Sequence, residues 1–240
     1  MRTFYPCKTA RAALSLALLA LALPTHARAA FNDVGQVNPE ITRTDPSIVA
    51  WASGVAGIQR GYEDYQQPAL GYASYGSPAN VLGPSGTPCS LGDGGSITLT
   101  FDAPIVNGPG TDFVVFENGF AYNGGVYAEM GFVEVSSDGT HFARLPALCR
   151  RTVATGAFDV INPADYYNLG GNYVGGTGID LQDLITDGDP LVTGGQVDLS
   201  NVTYVRLVDV VGDIVGPGRT FDYLGRPVSD PYPTPYASSG

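Results

Sequence analysis

The chain has 240 residues, of which 44% are hydrophobic and only 15% charged, with 32 Gly and 18 Pro. That length and apolar content suit one sizeable core or at most two small ones, and so much Gly and Pro without a repeat argues against a helical bundle, a coiled coil or a collagen-like rod. A formal net charge of -11 argues against a nucleic-acid partner, because affinity for phosphate backbones comes from clustered Lys and Arg.

At the start of the chain, Arg2, Lys8 and Arg11 form a basic stretch, Ala12 to Leu23 an apolar run ended by Pro24, and Ala27-Arg28-Ala29 a small-residue cleavage pattern. This predicts a secretory leader over residues 1–29 and a mature chain from Ala30. The apolar run is shorter than the roughly 20 residues a bilayer requires, and no later stretch reaches that length, so no transmembrane segment is expected in the mature chain. Without the leader, eight arginines and no lysine face all 23 acidic residues, and His141, Cys89 and Cys149 are the remaining His and Cys. Two cysteines in an exported chain predict a Cys89–Cys149 disulfide.

Residues 30–88 are loop-rich and Tyr-rich and are expected to wrap the domain, with a short helix from Pro46 to Ser53 after Asp45 as N-cap. Ser96 to Asp102 alternates strictly, Ile97, Leu99 and Phe101 falling on one face and Thr98 and Thr100 on the other, which is a half-buried strand. Asp112 to Glu117 is apolar on both faces, as a covered central strand would be. Tyr127 to Ser136 reads as a long strand that turns at Ser137-Asp138-Gly139-Thr140 into Phe142 to Leu145. A second short helix is expected at Asp180 to Leu184. Val202 to Val211 is the longest β-branched run, and residues 216–240 form a Pro-rich tail. Strands with turn signals between them and no βαβ rhythm predict an all-β fold, an antiparallel sandwich or jelly roll, in a single domain over residues 30–240.

Familiar catalytic constellations are missing. A zinc centre needs two or three clustered His or Cys, and a Ser-His-Asp relay would depend on His141, which sits in a predicted turn without a G-x-S-x-G elbow. Paired-carboxylate chemistry needs only two acids, for which Glu117, Glu129 and Glu134 are the candidates. Calcium takes six to eight hard oxygens from adaptable loops. All but five of the acids are Asp on Gly/Asn-rich loops, so structural calcium is expected, with Glu117, Asn118, Asp209, Asp222 and Asp230 as candidate ligands. The 14 tyrosines fall mostly in loops, where a flat ring with a polar tip suits a sugar or another flat, partly polar ligand. Tyr122, Tyr166, Tyr167, Asn168, Tyr173 and Tyr232 are the candidate ligand-binding residues.

The segments Ser90-Leu91-Gly92-Asp93-Gly94-Gly95-Ser96-Ile97 and Asp112-Phe113-Val114-Val115-Phe116-Glu117-Asn118-Gly119-Phe120, with Val133-Glu134-Val135-Ser136-Ser137-Asp138-Gly139 and Asp230-Pro231-Tyr232-Pro233-Thr234-Pro235, resemble a family of exported bacterial cell-surface proteins. The Val-Glu-Val-Ser-Ser-Asp-Gly hairpin is also similar to discoidin-type and carbohydrate-binding jelly rolls. The resemblance implies a galactose-binding-like jelly roll at the cell surface. It also implies an association with outer-membrane transporters, including corrinoid (cobalamin) uptake. Members of that family continue past the Pro-rich tail with a further strand, so a C-terminally truncated chain is expected here. The expectation is therefore an exported, non-catalytic binding protein for a glycan or small nutrient. The alternatives are corrinoid capture, a secreted carbohydrate-active enzyme and a structural surface or matrix protein.

Overall fold

The computed structural model describes residues 36–84 and 86–237; the leader expected over 1–29 and the start at Ala30 lie outside the described residues, as does Gly240. The first strands are β1 (Glu40–Ile41), β2 (Gly54–Gln59), β3 (Ser96–Ile105), β4 (Phe113–Phe116), β5 (Phe120–Tyr122) and β6 (Gly125–Tyr127). After them come β7 (Gly131–Ser136), β8 (Ala143–Arg144), β9 (Leu148–Cys149), β10 (Tyr166–Tyr167), β11 (Leu169–Gly170) and β12 (Gly176–Ile179). Two short helices, α1 (Gln182–Asp187) and α2 (Pro190–Thr193), precede the last strand, β13 (Val202–Asp209). The fold is all-β and its sheets are antiparallel. The main sheet runs β11-β7-β13-β3-β2, with β8 also on β7, and a second sheet runs β1-β12-β4.

Period-two alternation decides what lies between the sheets. Val133 and Val135 of β7, Val205 and Leu207 of β13 and Phe101 and Ile105 of β3 pack with Val115 of β4, Ile179 of β12 and Leu184 of α1. The opposite face of the main sheet carries Phe132 and Val208, and a second cluster covers it, built from Met130, Cys149, Ile161, Tyr166, Leu169, Val210 and Val228. The arrangement is sandwich-like, with loops and tail closing the outer side of the larger sheet.

Several local expectations need correction. Residues 46–53 form no helix: Asp45 Oδ1 accepts from both Ser47 N (2.9 Å) and Ser47 Oγ (2.6 Å), a local turn that competes with helical bonding, and the chain then runs into β2. That strand was hidden because Gly54-Val55-Ala56-Gly57 alternates poorly and is bulged between Val55 and Gly57. The long strand expected from Tyr127 is broken at Ala128–Met130. The helix expected at Asp180 to Leu184 forms slightly later, as α1.

The Cys89–Cys149 disulfide is also corrected, because both cysteines are free. Cys89 accepts a hydrogen bond from Arg60 (3.4 Å) on the inner side of the main sheet. Cys149 is buried on β9 in the cluster covering the outer side, its thiol directed at the Arg151 carbonyl (3.7 Å). The main sheet separates them, and burial raises the pKa of both thiols. Excess dithiothreitol is expected to leave the melting temperature unchanged. A fall of roughly 5–10 °C, as for a bond worth about 2–4 kcal/mol, would contradict the free thiols. Among the described residues no helix is long and apolar enough to cross a membrane.

Candidate functional site

Between the two sheets lies a cavity of about 570 Å³. Its walls are mostly apolar, with Leu99 and Phe101 from β3, Val115 and Phe116 from β4, and Leu207 from β13. Trp51, the only tryptophan, also lines it, 5.5 Å from the Phe116 ring.

One end is acidic, and strand alternation explains why. On β13, Val205, Leu207 and Asp209 share the inner face, so Asp209 is the next inward position after two core residues. On β4 the inward series Phe113, Val115 continues to Glu117, one residue past the strand. Both carboxylates line the cavity together with Glu129. Asp230 comes in from the tail, where its Oδ2 accepts from Met130 N (2.9 Å). The cluster is gathered around residues 129–131: Asp209 pairs with Gly131 across the ladder, Asp230 bonds Met130, and the Glu129 backbone N–H donates to the Glu117 carboxylate. Gly171 permits this closeness. With φ at +99° it sits where a Cβ would lie 2.5 Å from the Glu129 carbonyl oxygen and 3.0 Å from the Glu117 Cβ.

Glu117 is half-exposed as a residue, but its Oε2 is cut off from solvent and has no hydrogen-bond partner; Asp230 Oδ1 is in the same state. Burial and then the neighbouring Glu129 charge push the Glu117 pKa up to about 8, against backbone N–H groups of Asn118, Glu129 and Gly119 that pull it down. Asp209 is raised well above the usual carboxylate range by burial, opposed by the bond from Gly94 N (2.9 Å). Asp230 is raised likewise by burial, opposed by the Met130 bond. Glu129, Asp209 and Glu117 add to the upward shift of Asp230. Among the described residues no three His, Cys, Asp or Glu side chains stand at metal-binding spacing.

Three of the five expected calcium ligands, Glu117, Asp209 and Asp230, are thus brought to one place, and Asn118 adjoins them on the cavity wall. Asp222 is elsewhere: its Oδ2 accepts from Arg226 Nε (2.8 Å) and Cys149 N (3.0 Å) and its Oδ1 from Leu224 N (2.9 Å), so it closes a loop. Of the three candidate catalytic glutamates, Glu117 and Glu129 line the acidic end. Glu134 lies on the other face of β7, paired with Arg144 and Arg206. His141 keeps to its turn, with its Nδ1 2.7 Å from Asp138 Oδ2.

No family model, no curated protein and no solved structure matches this chain.

The candidate ligand-binding residues do not form one platform. Tyr166 is fully buried in the outer cluster and donates to the Ser229 carbonyl (2.8 Å). Tyr167 donates to Asp183 Oδ2 (2.8 Å), and Asn168, wholly buried with φ at +53°, donates to the same oxygen (2.7 Å). Tyr173 donates to the Asn38 carbonyl (2.8 Å), tying its loop to the N-terminal segment. Tyr232 donates to Asp64 (3.0 Å). Tyr122, on β5, is presented to solvent beside Phe120, the ring centroids 6.4 Å apart.

A Tyr166→Phe variant is expected to lose about 1–3 kcal/mol of stability, because the buried Ser229 carbonyl loses its donor. Binding in the inter-sheet cavity should not change, because Tyr166 packs on the other side of the main sheet. Denaturant unfolding alongside a ligand titration checks both halves.

The sequence puts Glu117 at the end of one strand and Asp209 within another, but composition does not show that both carboxylates face the same cavity. Their place in the alternation, each following two inward apolar residues, was the available signal.

Proposed function

We propose that this chain is an exported, non-catalytic binding protein of the galactose-binding-like jelly-roll type that takes a small nutrient molecule between its sheets. The observation that carries this reading is the inter-sheet cavity. Its volume of about 570 Å³ falls in the range of roughly 300–1,000 Å³ usual for small-molecule sites, and its mostly apolar lining carries a few polar side chains. The apolar walls favour a ligand with a hydrocarbon or aromatic body over a glycan. Export, the cell surface and an outer-membrane transporter as partner rest on the leader pattern and the motif resemblance.

Trp51 supplies the test, since the only tryptophan lines the cavity. Titrating the purified chain with small amphiphiles, oligosaccharides and cobalamin, and following Trp emission, is expected to give a saturable change with the amphiphiles. Filling the cavity with Leu99→Trp would add a second fluorophore, so Leu99→Phe is the variant to use, and it should weaken that response. Saturation by an oligosaccharide or by cobalamin alone, unaltered in Leu99→Phe, would overturn the reading.

A second reading has its own observation. Glu117 holds its proton near neutral pH beside Glu129, an arrangement suited to a general acid with a carboxylate neighbour. If the chain is instead a carbohydrate-active enzyme, a glycan panel will be hydrolysed, and Glu117→Gln and Glu129→Gln will each abolish turnover.

A further inference from the structure

β4 is the last strand of its sheet: β12 flanks one edge, and among the described residues no strand flanks the other. The hydrogen-bonding phase of that open edge can be worked out from its neighbours. Gly178 N donates to Pro39 O (2.9 Å), on the β1 side of β12. Backbone groups of successive strand residues point to opposite edges, so Thr177 and Ile179 face β4, where their partners are Val115 and Phe113. Asp112 N, one residue before the strand, also reaches Ile179 O (2.8 Å), which ends the ladder without changing that phase. The N–H and C=O groups of Val114 and Phe116 therefore point out of the open edge, and no backbone group among the described residues bonds them.

The cavity runs along this edge. Phe113 and Val115 on one face of β4 and Val114 and Phe116 on the other all line it, which requires the cavity to pass round the strand's open side. Between the sheets it meets Leu99 and Leu207, and on the outer face of β4 it meets Trp51 beside the Phe116 ring.

We infer that the cavity takes a short apolar peptide in extended form, which adds to the open edge of β4 as a further strand. The inference rests on the cavity being the ligand seat and names the ligand class. A hydrocarbon body would fill the same space but leave the Val114 and Phe116 N–H and C=O groups unpaired in apolar surroundings, which is costly. An extended peptide meets them with backbone groups of the same spacing, and strand addition at a sheet edge draws its affinity from such bonds. Its alternate side chains would enter the space between the sheets and the space beside Trp51, and both are apolar, so both faces of the peptide should be apolar too. The four residues of β4, at about 3.3 Å each, match a peptide of about four residues.

Isothermal titration of the purified chain with acetyl-VAVL-amide, its fully N-methylated twin and 1-hexanol tests this, with Trp51 emission followed in parallel. The twin keeps the side chains and cannot donate from its backbone, so the unmodified peptide is expected to bind at least about tenfold more tightly. The peptide, but not hexanol, should slow hydrogen exchange at the Val114 and Phe116 amides. Val114→Pro removes an edge N–H that serves no ladder bond, and in that variant most of the preference for the unmodified peptide should disappear; the wild-type comparison decides without it if the variant does not fold. Equal binding of the two peptides, or unaltered exchange at Val114 and Phe116, would overturn strand addition. A Trp51 response to hexanol with no binding of either peptide would overturn the peptide and leave the cavity as a ligand seat. No binding by any probe, with Trp51 emission unchanged, would overturn both readings.

Discussion

Replacing Glu117 by Gln is expected to flatten the dependence of stability on pH between about 4.5 and 8. The wild-type carboxyl has its pKa raised from 4.5 to about 8, by burial first and by Glu129 second. Below about 4.5 the group is protonated in both folded and unfolded chains and contributes no pH dependence. Between 4.5 and about 8 the folded chain holds a proton that the unfolded chain has released, so stability falls as pH rises, by up to about 1.4 kcal/mol per pH unit. Across the whole window the loss from this one group is on the order of 5 kcal/mol. Gln resembles the protonated carboxyl in shape and does not titrate. The variant should therefore match wild type near pH 4.5 and exceed it by several kcal/mol near pH 8. Asp209 and Asp230, raised in the same direction, keep a residual slope in the variant. Denaturant unfolding at intervals across the window reads the effect, and parallel curves for the two proteins would refute it.

The main strands were readable because each obeys a simple alternation. Ile97, Leu99 and Phe101 on β3 and Val133 and Val135 on β7 lie on the inward face that period two assigns them. The same rule, carried one step further, would have located the acidic end: Asp209 follows Val205 and Leu207, and Glu117 follows Phe113 and Val115. What alternation could not supply is the third dimension. Glu129 and Asp230 are about 100 residues apart in the chain and meet only because Asp230 bonds the Met130 backbone. The tyrosines misled for a related reason. A Tyr in a loop has the same composition signal whether it faces a ligand or fastens that loop, and the hydroxyls of Tyr166, Tyr167, Tyr173 and Tyr232 are all spent on distant parts of the chain. The two cysteines likewise met a general rule for exported proteins, but a full sheet stands between them.

The register that brings Asp209 opposite Gly131 is held by a buried ion pair three steps along the same ladder, and cutting it should have the second large effect. Glu134 on β7 lies directly across from Arg206 on β13 and from Arg144 on β8. Its Oε1 is 2.7 Å from Arg144 Nη2 and its Oε2 is 2.5 Å from Arg206 Nε. The carboxylate is buried, whereas the two guanidinium groups reach solvent and rest on the rings of Phe132 (4.5 Å) and Phe142 (3.9 Å) respectively. Each arginine occupies one carboxylate oxygen, so removing one leaves the other to hold the charge. Removing both leaves a buried carboxylate uncompensated, which costs about 3–5 kcal/mol. The Arg144→Met/Arg206→Met protein should therefore lose more than the sum of the single variants, with a melting temperature lower by roughly 10 °C. Adding Glu134→Leu to the double variant should recover most of that loss, because an apolar residue of similar volume needs no partner. If the triple variant is no more stable than the double, the arginines act through ring packing and not through the charge. In the double variant the Trp51 response to amphiphiles should weaken as well, because a one-residue slip of β13 against β7 would turn Asp209 away from the cavity.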